Sequence, residues 1–419
     1  MQKLSAARAK RMQIAVMAGF FTQAVVAITY IPRIPELIDQ LGVSFAEWGL
    51  IIGLAGAGSF LPLFITNRLV SRFGTKPLVV TSFIGFCLMM MTLPSTTNPI
   101  VYFFLQATIN FMGSFYNISV NAQAVMLQKR IGKVIIGRFH ASWSIGAALS
   151  AALAGVLAGF MPLQLHMILV PAACLTVFLI FSRDLMKPSE DGHAEERERA
   201  TKTPFFKSPS TVWLLSAGLF AGVFPELCMM DWSAVFSKKV LGLDATLGAL
   251  PYFCFTAAMI IARLSIGRLT KRWHLSRLAN IGGIVAACVL AISIFVGPAV
   301  AAFDKHLALI VVAALWSIVG LGIGPMVPSF FSAAGYIKGM PTAQALSRMS
   351  LVNQVSVLVA KIAMGALTQK VGVALALIFP MVALFTAGML AGAVVKRSPR
   401  ADEVLTSYPP TGPITTIDS

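Results

Sequence analysis

Two carboxylates, Glu226 and Asp231, stand inside a long apolar stretch that runs from about Thr211 to Phe236. A charged side chain near the centre of a bilayer costs about 3 kcal/mol on insertion scales. Acidic side chains in such a stretch therefore face an aqueous cavity, a partner charge or a bound solute. The alternative interpretation places both carboxylates at the outer end of the segment, where water reaches them. The first interpretation predicts that at least one of them binds protons or a solute.

A second polar set recurs at helical spacing in another apolar stretch. Asn110, Ser114, Asn117 and Asn121 are separated by four, three and four residues, so a helix places them on one face. Amides both donate and accept hydrogen bonds, which suits a neutral solute rich in hydroxyl groups. The alternative is bonding between neighbouring membrane helices, worth roughly 0.6–2 kcal/mol per contact.

His140, Trp143 and Ser144 share one face of a further predicted helix. Imidazole titrates near neutral pH, so His140 is either a proton relay or a hydrogen-bonding partner of a neighbouring helix. Trp143 either stacks on the apolar face of a sugar ring or packs in the helix bundle. In the first predicted helix, Gln23 and Tyr30 lie seven residues apart on one face, which faces either a cavity or a neighbouring helix.

Two basic residues lack an obvious aqueous position. Arg33 follows the first apolar run; it pairs with Glu36 or Asp39, meets Glu226 or Asp231 across a cavity, or lies on the outer surface.

Lys361 lies inside an apolar run, on the same face as Gln354, seven residues earlier, with Asn353 adjacent. It either pairs with Asp231 or Glu226 or extends its stem to the membrane interface. An Asp–Lys pair that opens on protonation is one form of coupling device.

The composition excludes a soluble protein. Of the 419 residues, 57% are hydrophobic and 12% are charged, against roughly 25% charged in soluble domains. Apolar runs of membrane-spanning length recur along the chain, without the alternation of a β-barrel. The net charge of +17 therefore indicates basic loops at a membrane surface and no nucleic-acid partner.

The pattern of apolar runs predicts an all-α polytopic protein with twelve membrane helices in a lipid bilayer. The predicted spans are 12–31, 47–66, 78–97, 100–122, 139–160, 163–182, 211–236, 245–266, 278–299, 307–327, 345–367 and 371–395.

Lysine and arginine predict the orientation of these helices. The segments expected inside hold 27 of them, and those expected outside hold 5. The positive-inside rule then places both termini in the cytoplasm. The inner segments are 1–11, 67–77, 128–138, 183–210, 263–277, 331–348 and 396–419.

The chain divides into two similar halves. We expect a six-helix bundle at 1–182, a polar linker at 183–210, a second bundle at 211–395 and a disordered tail at 396–419. A basic segment follows the second helix of each half, and the two copies match at a distance of 200 residues. The matched residues are Arg68 and Arg268, Leu69 and Leu269, Arg72 and Arg272, and Phe73 and Trp273. Such internal duplication is typical of membrane transporters.

These basic segments resemble the signature loop of the major facilitator superfamily, roughly G-x-L-x-D-R-x-G-R-K. The first copy keeps Leu69, Arg72, Gly74 and Lys76, and the second keeps Gly267, Leu269 and Arg272. Together with Arg68 and Arg268, these residues form the cytoplasmic gate loops that the resemblance implies. Asn67 replaces the usual glycine and Ser71 the usual aspartate, which puts the family's cytoplasmic latch in doubt.

Over nearly the whole length the chain is similar to the fucose-permease-like, YbjJ-type branch of that superfamily. The matching motifs are Arg33-Ile34-Pro35 with Leu41-Gly42-Val43-Ser44, Asn121 to Val125, Phe139 to Gly146, and Glu226 with Asp231-Trp232-Ser233. Relatives often carry an acid where this chain has Asn117.

The resemblance implies two six-helix, pseudo-symmetric bundles around a central cavity, and a secondary transporter rather than an enzyme. We expect a small polar solute, such as a sugar, polyol or amino-sugar-like compound, carried across a bacterial inner membrane with protons as the coupling ion. An exporter of a small metabolite or drug-like compound and a transporter-like sensor remain alternatives. The dispersed histidines and the cysteines, which form no CxxC pair, predict no metal and no cofactor. A single chain suffices for this fold, so we expect a monomer.

Overall fold

The computed structural model describes residues 5–131, 135–190, 208–270, 272–334, 337 and 342–394. Within these ranges, α-helices and short 3-10 helices are joined by turns, and no strand occurs. The predicted all-α polytopic architecture is confirmed.

Eight described helices build the first six membrane spans. They are α1 (Ala6–Ile28), α2 (Ile34–Leu41), α3 (Phe45–Ala55), α4 (Phe60–Phe73), α5 (Thr75–Thr92), α6 (Pro99–Ile131), α7 (Ile136–Ala158) and α8 (Leu163–Ser182). Short 3-10 turns, at Ile31–Arg33 and Gly56–Ser59, link α1 to α2 and α3 to α4. The first and second spans are therefore interrupted helices.

Eight more described helices build the remaining spans. They are α9 (Ser210–Lys239), α10 (Ala245–Gly248), α11 (Leu250–Leu269), α12 (Leu275–Ala301), α13 (Lys305–Ile323), α14 (Met326–Ala334), α15 (Thr342–Ala376) and α16 (Ile378–Val394). A kink divides α15 at Gly372, whose φ of 81° lies in the left-handed region that favours glycine. The residues beyond Gly372 lead into α16 and the twelfth span.

The twelve predicted spans fall largely on these helices, although residue 395 of the last one lies outside the described residues. Ten described helical segments are long and apolar enough to cross a membrane. The remaining two predicted spans lie on α6 and α16. The amide and hydroxyl side chains of α6 lower its mean hydropathy, and the apolar part of α16, Ile378–Ala393, is shorter than the other spans. The protein is thus a multi-pass membrane protein.

The helices extend further than the apolar runs that predicted them. Because α4 ends at Phe73 and α5 begins at Thr75, only Gly74 joins them, and the predicted loop at 67–77 is wrong. Gly74 has a φ of 76°, which allows the abrupt reversal. Hydropathy marks the part of a helix that lies in hydrocarbon, whereas charged residues continue the same helix beyond it.

The same correction applies to the basic residues themselves. Arg68 and Arg72 lie on the last turns of α4, and Gly267 and Arg268 lie inside α11. Of this group, Arg272 lies in the turn after α11. These residues are therefore mostly at helix ends and not in flexible loops.

The described residues divide into two compact units. The first falls within Met1–Gly42 and Leu54–Ala200, and the second within Val43–Gly53 and Thr201–Pro409. Most of α3 thus belongs to the second unit. The expected domain boundaries at 182 and 211 stay a prediction, since residues 191–207 of the linker and the tail at 396–419 lie outside the described residues.

In the first unit, small residues let α1 and α7 approach closely. A Cβ atom added at Gly146 of α7 would stand 2.5 Å from the carbonyl oxygen of Phe21. One turn earlier, the Ser142 hydroxyl donates to the carbonyl of Met17 at 2.9 Å. Close backbone approach and hydroxyl–carbonyl bonds stabilise helix pairs in lipid, where no hydrophobic effect drives their association. This contact positions the beginning of α7 beside α1.

In the second unit, α9 packs against α11, α14, α15 and α16. Glycines on α9 accept large side chains of α14: a Cβ at Gly218 would overlap the ring of Phe330, and one at Gly222 would stand 3.1 Å from Met326. Because α9 contacts several helices of this unit, its polar residues can reach partners on more than one of them.

The contact between α3 and α15 brings two backbones together. A Cβ at Gly49 would lie 2.5 Å from the α-carbon of Gly365, and a Cβ at Gly365 would lie 2.6 Å from the α-carbon of Gly49. The Gly49 position also lies 3.0 Å from the carbonyl oxygen of Lys361. No larger residue fits at either glycine without separating the helices.

Gly49→Ala tests this contact. We expect it to lower the stability of the purified protein by about 1–3 kcal/mol, the usual cost of overpacking. Thermal unfolding in detergent would measure the change. Gly267→Ala is the matched control, because a Cβ there meets open space on α11 and alanine is the better helix former. Equal loss of stability in both variants would contradict the interpretation.

Candidate functional site

The helix α9 directs its two carboxylates towards different neighbours. Glu226 and Asp231 are five residues apart, which separates them by about 140° around the helix and about 7.5 Å along it. Pro225 lies inside α9 immediately before Glu226. Proline has no N–H, so the Ala221 carbonyl loses its helical donor and the helix is locally weakened.

Asp231 pairs with Lys361 of α15. Lys361 Nζ lies 2.7 Å from Asp231 Oδ2, and the side chains are 18% and 5% exposed, respectively. The pair thus resolves the alternatives for Lys361 in favour of a charged partner. Two opposite charges at this distance neutralise one another in a low-dielectric interior, where either charge alone is expensive.

Glu226 pairs with Arg263 of α11. Arg263 Nη2 donates to Glu226 Oε2 at 2.7 Å, and the two side chains are 28% and 27% exposed. This pair is therefore more accessible than the pair formed by Asp231 and Lys361.

Arg263 was missed as a site residue because the charge count assigned it to the inner basic segment 263–277. The structure places it inside α11, six residues before the end of that helix at Leu269. A signal was available: Tyr252, Thr256 and Arg263 are spaced by four and seven residues, so they share one face of α11.

Other polar groups surround these pairs. The Tyr252 phenol and the Thr256 hydroxyl are neighbours on α11, and the phenol lies within electrostatic range of Glu226 and Asp231. Cys228, one turn before Asp231, is buried. The four charges of the two pairs and the hydroxyls on α11 form what we call the charged cluster, defined by Glu226, Asp231, Tyr252, Thr256, Arg263 and Lys361.

On α15, Asn353 and Gln354 each bury a side-chain oxygen. Asn353 Oδ1 and Gln354 Oε1 have no hydrogen-bond partner among the described residues. On α9, the hydroxyls of Ser233 and Ser237 are also buried and have no hydrogen-bond partner among the described residues. Buried acceptors without partners are costly, so such groups suit a site that binds water or a solute.

The helix α3 contacts this region through Phe45. Its ring meets that of Trp232, next to Asp231, edge to face at 5.9 Å between centroids. Its backbone N–H donates to Gln369 Oε1 on α15 at 3.0 Å. Phe45 thus touches both helices that carry the buried ion pair.

In the first unit, Gln23 and Trp143 come together. Trp143 Nε1 donates to Gln23 Oε1 at 2.7 Å, joining α7 to α1. His140, one turn before Trp143, places its ring against that of Phe20, with centroids 5.3 Å apart. Tyr30 lies two residues beyond the end of α1 at Ile28, in the turn that leads to the 3-10 segment Ile31–Arg33, and its alignment with Gln23 on one face stays a prediction.

The amide stripe of α6 is largely engaged by the protein itself. Asn110 Nδ2 donates to the Ala55 carbonyl at 3.2 Å and to the Gln106 carbonyl at 2.9 Å. Asn121 Nδ2 donates to the backbone and side-chain oxygens of Asn117 at 2.8 and 3.0 Å. Asn110 thus bonds a neighbouring segment, whereas Asn117 and Asn121 bond one another.

Arg33 is 2% exposed and pairs with Glu36. Its Nη2 lies 2.7 Å from Glu36 Oε2, and its Nη1 donates to the carbonyl of Met161 at 2.9 Å. Among the alternatives for Arg33, the structure gives Glu36 as the partner. This arginine ties the turn after α1 to the turn after α7.

The basic residues expected at the gate make separate contacts. Lys76 Nζ donates to the Arg183 carbonyl at 2.8 Å, and the Arg72 guanidinium lies 5.2 Å from the centroid of the Phe73 ring. Arg272 donates its backbone N–H to the Leu269 carbonyl at 3.0 Å. The Arg68 side chain lies outside the described residues.

Within the described ranges, no group of three or more His, Cys, Asp or Glu residues is placed to hold a metal ion.

Comparisons with known proteins agree on one family for this chain. The sequence profile of the Major Facilitator Superfamily matches residues 15–338. An uncharacterized MFS-type transporter of Yersinia pestis is 24% identical over 361 residues, covering 85% of this chain and 89% of the relative. An uncharacterized transporter of Sinorhizobium fredii is 26% identical, covering 89% of this chain and 94% of the relative. Membrane protein MosC of Rhizobium meliloti is 22% identical, and the match covers 87% of this chain and 86% of the relative.

Solved structures show the same fold. A bacterial homologue of the human lysosomal transporter Spinster superposes with a TM-score of 0.74 at 13% identity, covering 94% of this chain and 98% of that one. A point mutant of the nucleoside transporter NupG superposes with a TM-score of 0.74 at 12% identity, and the superposition covers 92% of this chain and 99% of that one. At this identity the likeness establishes the fold alone.

Lys361→Met tests the buried ion pair. We expect a loss of about 3–5 kcal/mol in stability at neutral pH, because Asp231 is left charged and buried. The loss should shrink as the pH falls, since a protonated carboxyl needs no counter-charge. Thermal unfolding in detergent across a pH series would measure both effects.

The double variant Asp231→Asn with Lys361→Met is the matched control, because it removes both charges. It should recover most of the stability lost in Lys361→Met. A double variant no more stable than the single one would show that the charge pair is not the cause.

Proposed function

Because this chain belongs to the Major Facilitator Superfamily, whose members are membrane transporters and not enzymes, we propose that it is a secondary transporter of a small polar solute. The solute class we favour is hydroxylated: a sugar, polyol or amino-sugar-like compound. We propose that protons drive its movement by alternating access. The fucose-permease-like, YbjJ-type resemblance of the motifs supports this class.

The observation that carries proton coupling is the ion pair between Asp231 and Lys361. It joins α9 to α15 at 2.7 Å, and its carboxylate is 5% exposed. When Asp231 is ionised, the pair holds the two helices together and is electrically neutral. When Asp231 takes up a proton, the Coulomb attraction is lost and the contact between the helices weakens.

A proton-dependent contact between two helices is the element that a coupled transporter needs. A ligand or proton shifts a conformational equilibrium only by the difference in its binding free energy between the two states. Protonation of Asp231 changes the energy of the α9–α15 contact directly. The Phe45 ring and N–H, which touch α9 and α15, extend this effect to α3.

Several groups suit a solute rich in hydroxyls. In the second unit these are Asn353 and Gln354, whose side-chain oxygens are buried without a partner in the described residues. In the first unit, Trp143 offers an aromatic face, and its indole N–H is oriented by Gln23. An aromatic face packs against the C–H face of a sugar ring, and amides bond its hydroxyls.

The charge pattern of the sequence supports a location and an orientation for the protein. We propose that it lies in a bacterial inner membrane with both termini in the cytoplasm, because the Lys and Arg residues concentrate in the segments expected inside. The described helices of one chain build the twelve membrane spans, which supports a monomeric transporter. Ser71 and Asn117 stand where relatives often carry acidic residues. For this reason we keep export of the solute as an alternative to uptake through the same site.

Asp231→Asn tests the proposed coupling. Wild-type transport should be faster at an acidic external pH than at neutral pH, because protonation releases Asp231 from Lys361. The variant should lose this pH dependence, since an amide cannot take up the proton. Cells expressing either protein, or an empty vector, would be supplied with sugars and polyols, and the compounds in cells and medium would be profiled at both pH values.

Asp304→Asn is the matched control for this experiment. Asp304 is an exposed cap at the start of α13, and asparagine caps helices as well as aspartate does. The control should keep the wild-type pH dependence. An unchanged pH dependence in Asp231→Asn would overturn the coupling proposal.

Trp143→Phe tests whether the Trp143 indole contributes to solute binding. Loss of the indole N–H leaves Gln23 without its donor, and a hydrogen bond is worth about 0.5–1.5 kcal/mol. We therefore expect KM for the transported compound to rise by about two- to tenfold, with little change in maximal rate. Trp213→Phe, on the partly exposed α9 surface, should leave KM unchanged, and equal KM values in both variants would contradict the assignment.

A further inference from the structure

The charged cluster is balanced only while Asp231 is ionised. It then holds two carboxylates, Asp231 and Glu226, and two cations, Lys361 and Arg263, in two pairs at 2.7 Å. Protonation of Asp231 removes one negative charge. The cluster then has a net charge of +1, and the excess charge is located on Lys361.

The groups facing Asp231 do not replace its lost charge. From α15 it meets Lys361, from its own helix it lies within electrostatic range of Cys228, and from α11 the Tyr252 phenol lies within electrostatic range of both Asp231 and Glu226. Cys228 and Tyr252 are neutral groups in their usual protonated forms. Glu226 is already bonded to Arg263. An unpaired lysine in the membrane interior therefore needs an anion from elsewhere.

Lys361 is also the accessible member of its pair. Its side chain is 18% exposed, against 5% for Asp231. The ammonium group has three N–H donors, of which one is needed for Asp231 Oδ2 at 2.7 Å. A solute that approaches this pair meets the lysine first.

We propose that the transported solute carries a carboxylate, as an aldonic or uronic acid does, and that this carboxylate pairs with Lys361 when Asp231 is protonated. This inference rests on the proposed transport function and narrows its solute class. The proton and the anion then occupy the cluster together, and the total charge stays zero with or without them. A neutral sugar leaves Lys361 unpaired, and an amino sugar adds a second unpaired cation.

The second ion pair also offers hydrogen-bond donors. Arg263 uses Nη2 for Glu226 at 2.7 Å, and a guanidinium has five N–H donors in all. The remaining donors suit hydroxyl groups of a polar solute.

The variant Asp231→Asn tests the inference without a transport assay, because it fixes the neutral state of this side chain at every pH. Gluconate, glucose and glucosamine serve as matched anionic, neutral and cationic probes. Their binding to the purified protein in detergent would be measured at neutral pH from the rise in melting temperature. We expect gluconate to bind the variant at least about tenfold more tightly than it binds the wild type, the gain of one charge-assisted hydrogen bond.

The double variant Asp231→Asn with Lys361→Met is the control for the lysine. It should lose the gain for gluconate, and glucose and glucosamine should gain nothing in either variant. The inference is overturned if gluconate gains no affinity in Asp231→Asn, if glucose gains as much, or if the double variant keeps the gain.

This result is separate from the test of the proposed function. Loss of pH-dependent transport in Asp231→Asn, together with equal binding of gluconate and glucose, would support proton coupling and overturn the anionic solute. Selective gluconate binding by Asp231→Asn, together with an unchanged pH dependence of transport, would support the anion site and overturn the coupling at Asp231.

Discussion

A charge in the interior of a bilayer needs a counter-charge, and this requirement organises the second unit of the protein. Asp231 and Lys361 stand on different helices, so the two charges can pair only while α9 and α15 are in contact. Each charge alone would cost several kcal/mol. The electrostatic requirement thus becomes a constraint on helix packing. The same holds for Glu226 and Arg263, which tie α9 to α11.

The packing around α9 makes this constraint possible. Lipid provides no hydrophobic force between helices, so close approach depends on small residues and on polar bonds. Gly218 and Gly222 accept side chains of α14 on one side of α9, which leaves other faces of the helix for α11 and α15. Pro225 removes one helical hydrogen bond just before the polar residues begin. The charges are therefore carried by a helix that is tightly held along part of its length and locally weakened beside Glu226.

The strongest sequence signals were those in which a residue type conflicts with its surroundings. Asp231, Glu226 and Lys361 stand out because charges are rare in apolar segments, and all three are in ion pairs. Their partners were harder to predict, since spacing along the chain gives no distance between helices. The charge of Arg263 gives no such signal, because a basic residue near a helix end satisfies the positive-inside rule whether or not it has another role. The end of α1 was also beyond the hydropathy signal, because the apolar run continues past Ile28, where the helix ends and a 3-10 turn follows.

The contact of α3 with α15 extends the electrostatic constraint to a helix without charges at the site. Gly49 and Gly365 bring the two backbones together close to the carbonyl of Lys361, and Phe45 packs on Trp232, the residue after Asp231. A shift of α15 that lengthened the ion pair would therefore also disturb the glycine contact and the aromatic contact. Packed helices respond to such a disturbance by moving between discrete arrangements, because close-packed surfaces deform little. In the coupling that we propose, a single proton on Asp231 thus acts on three helices, although it alters the charge of only one side chain.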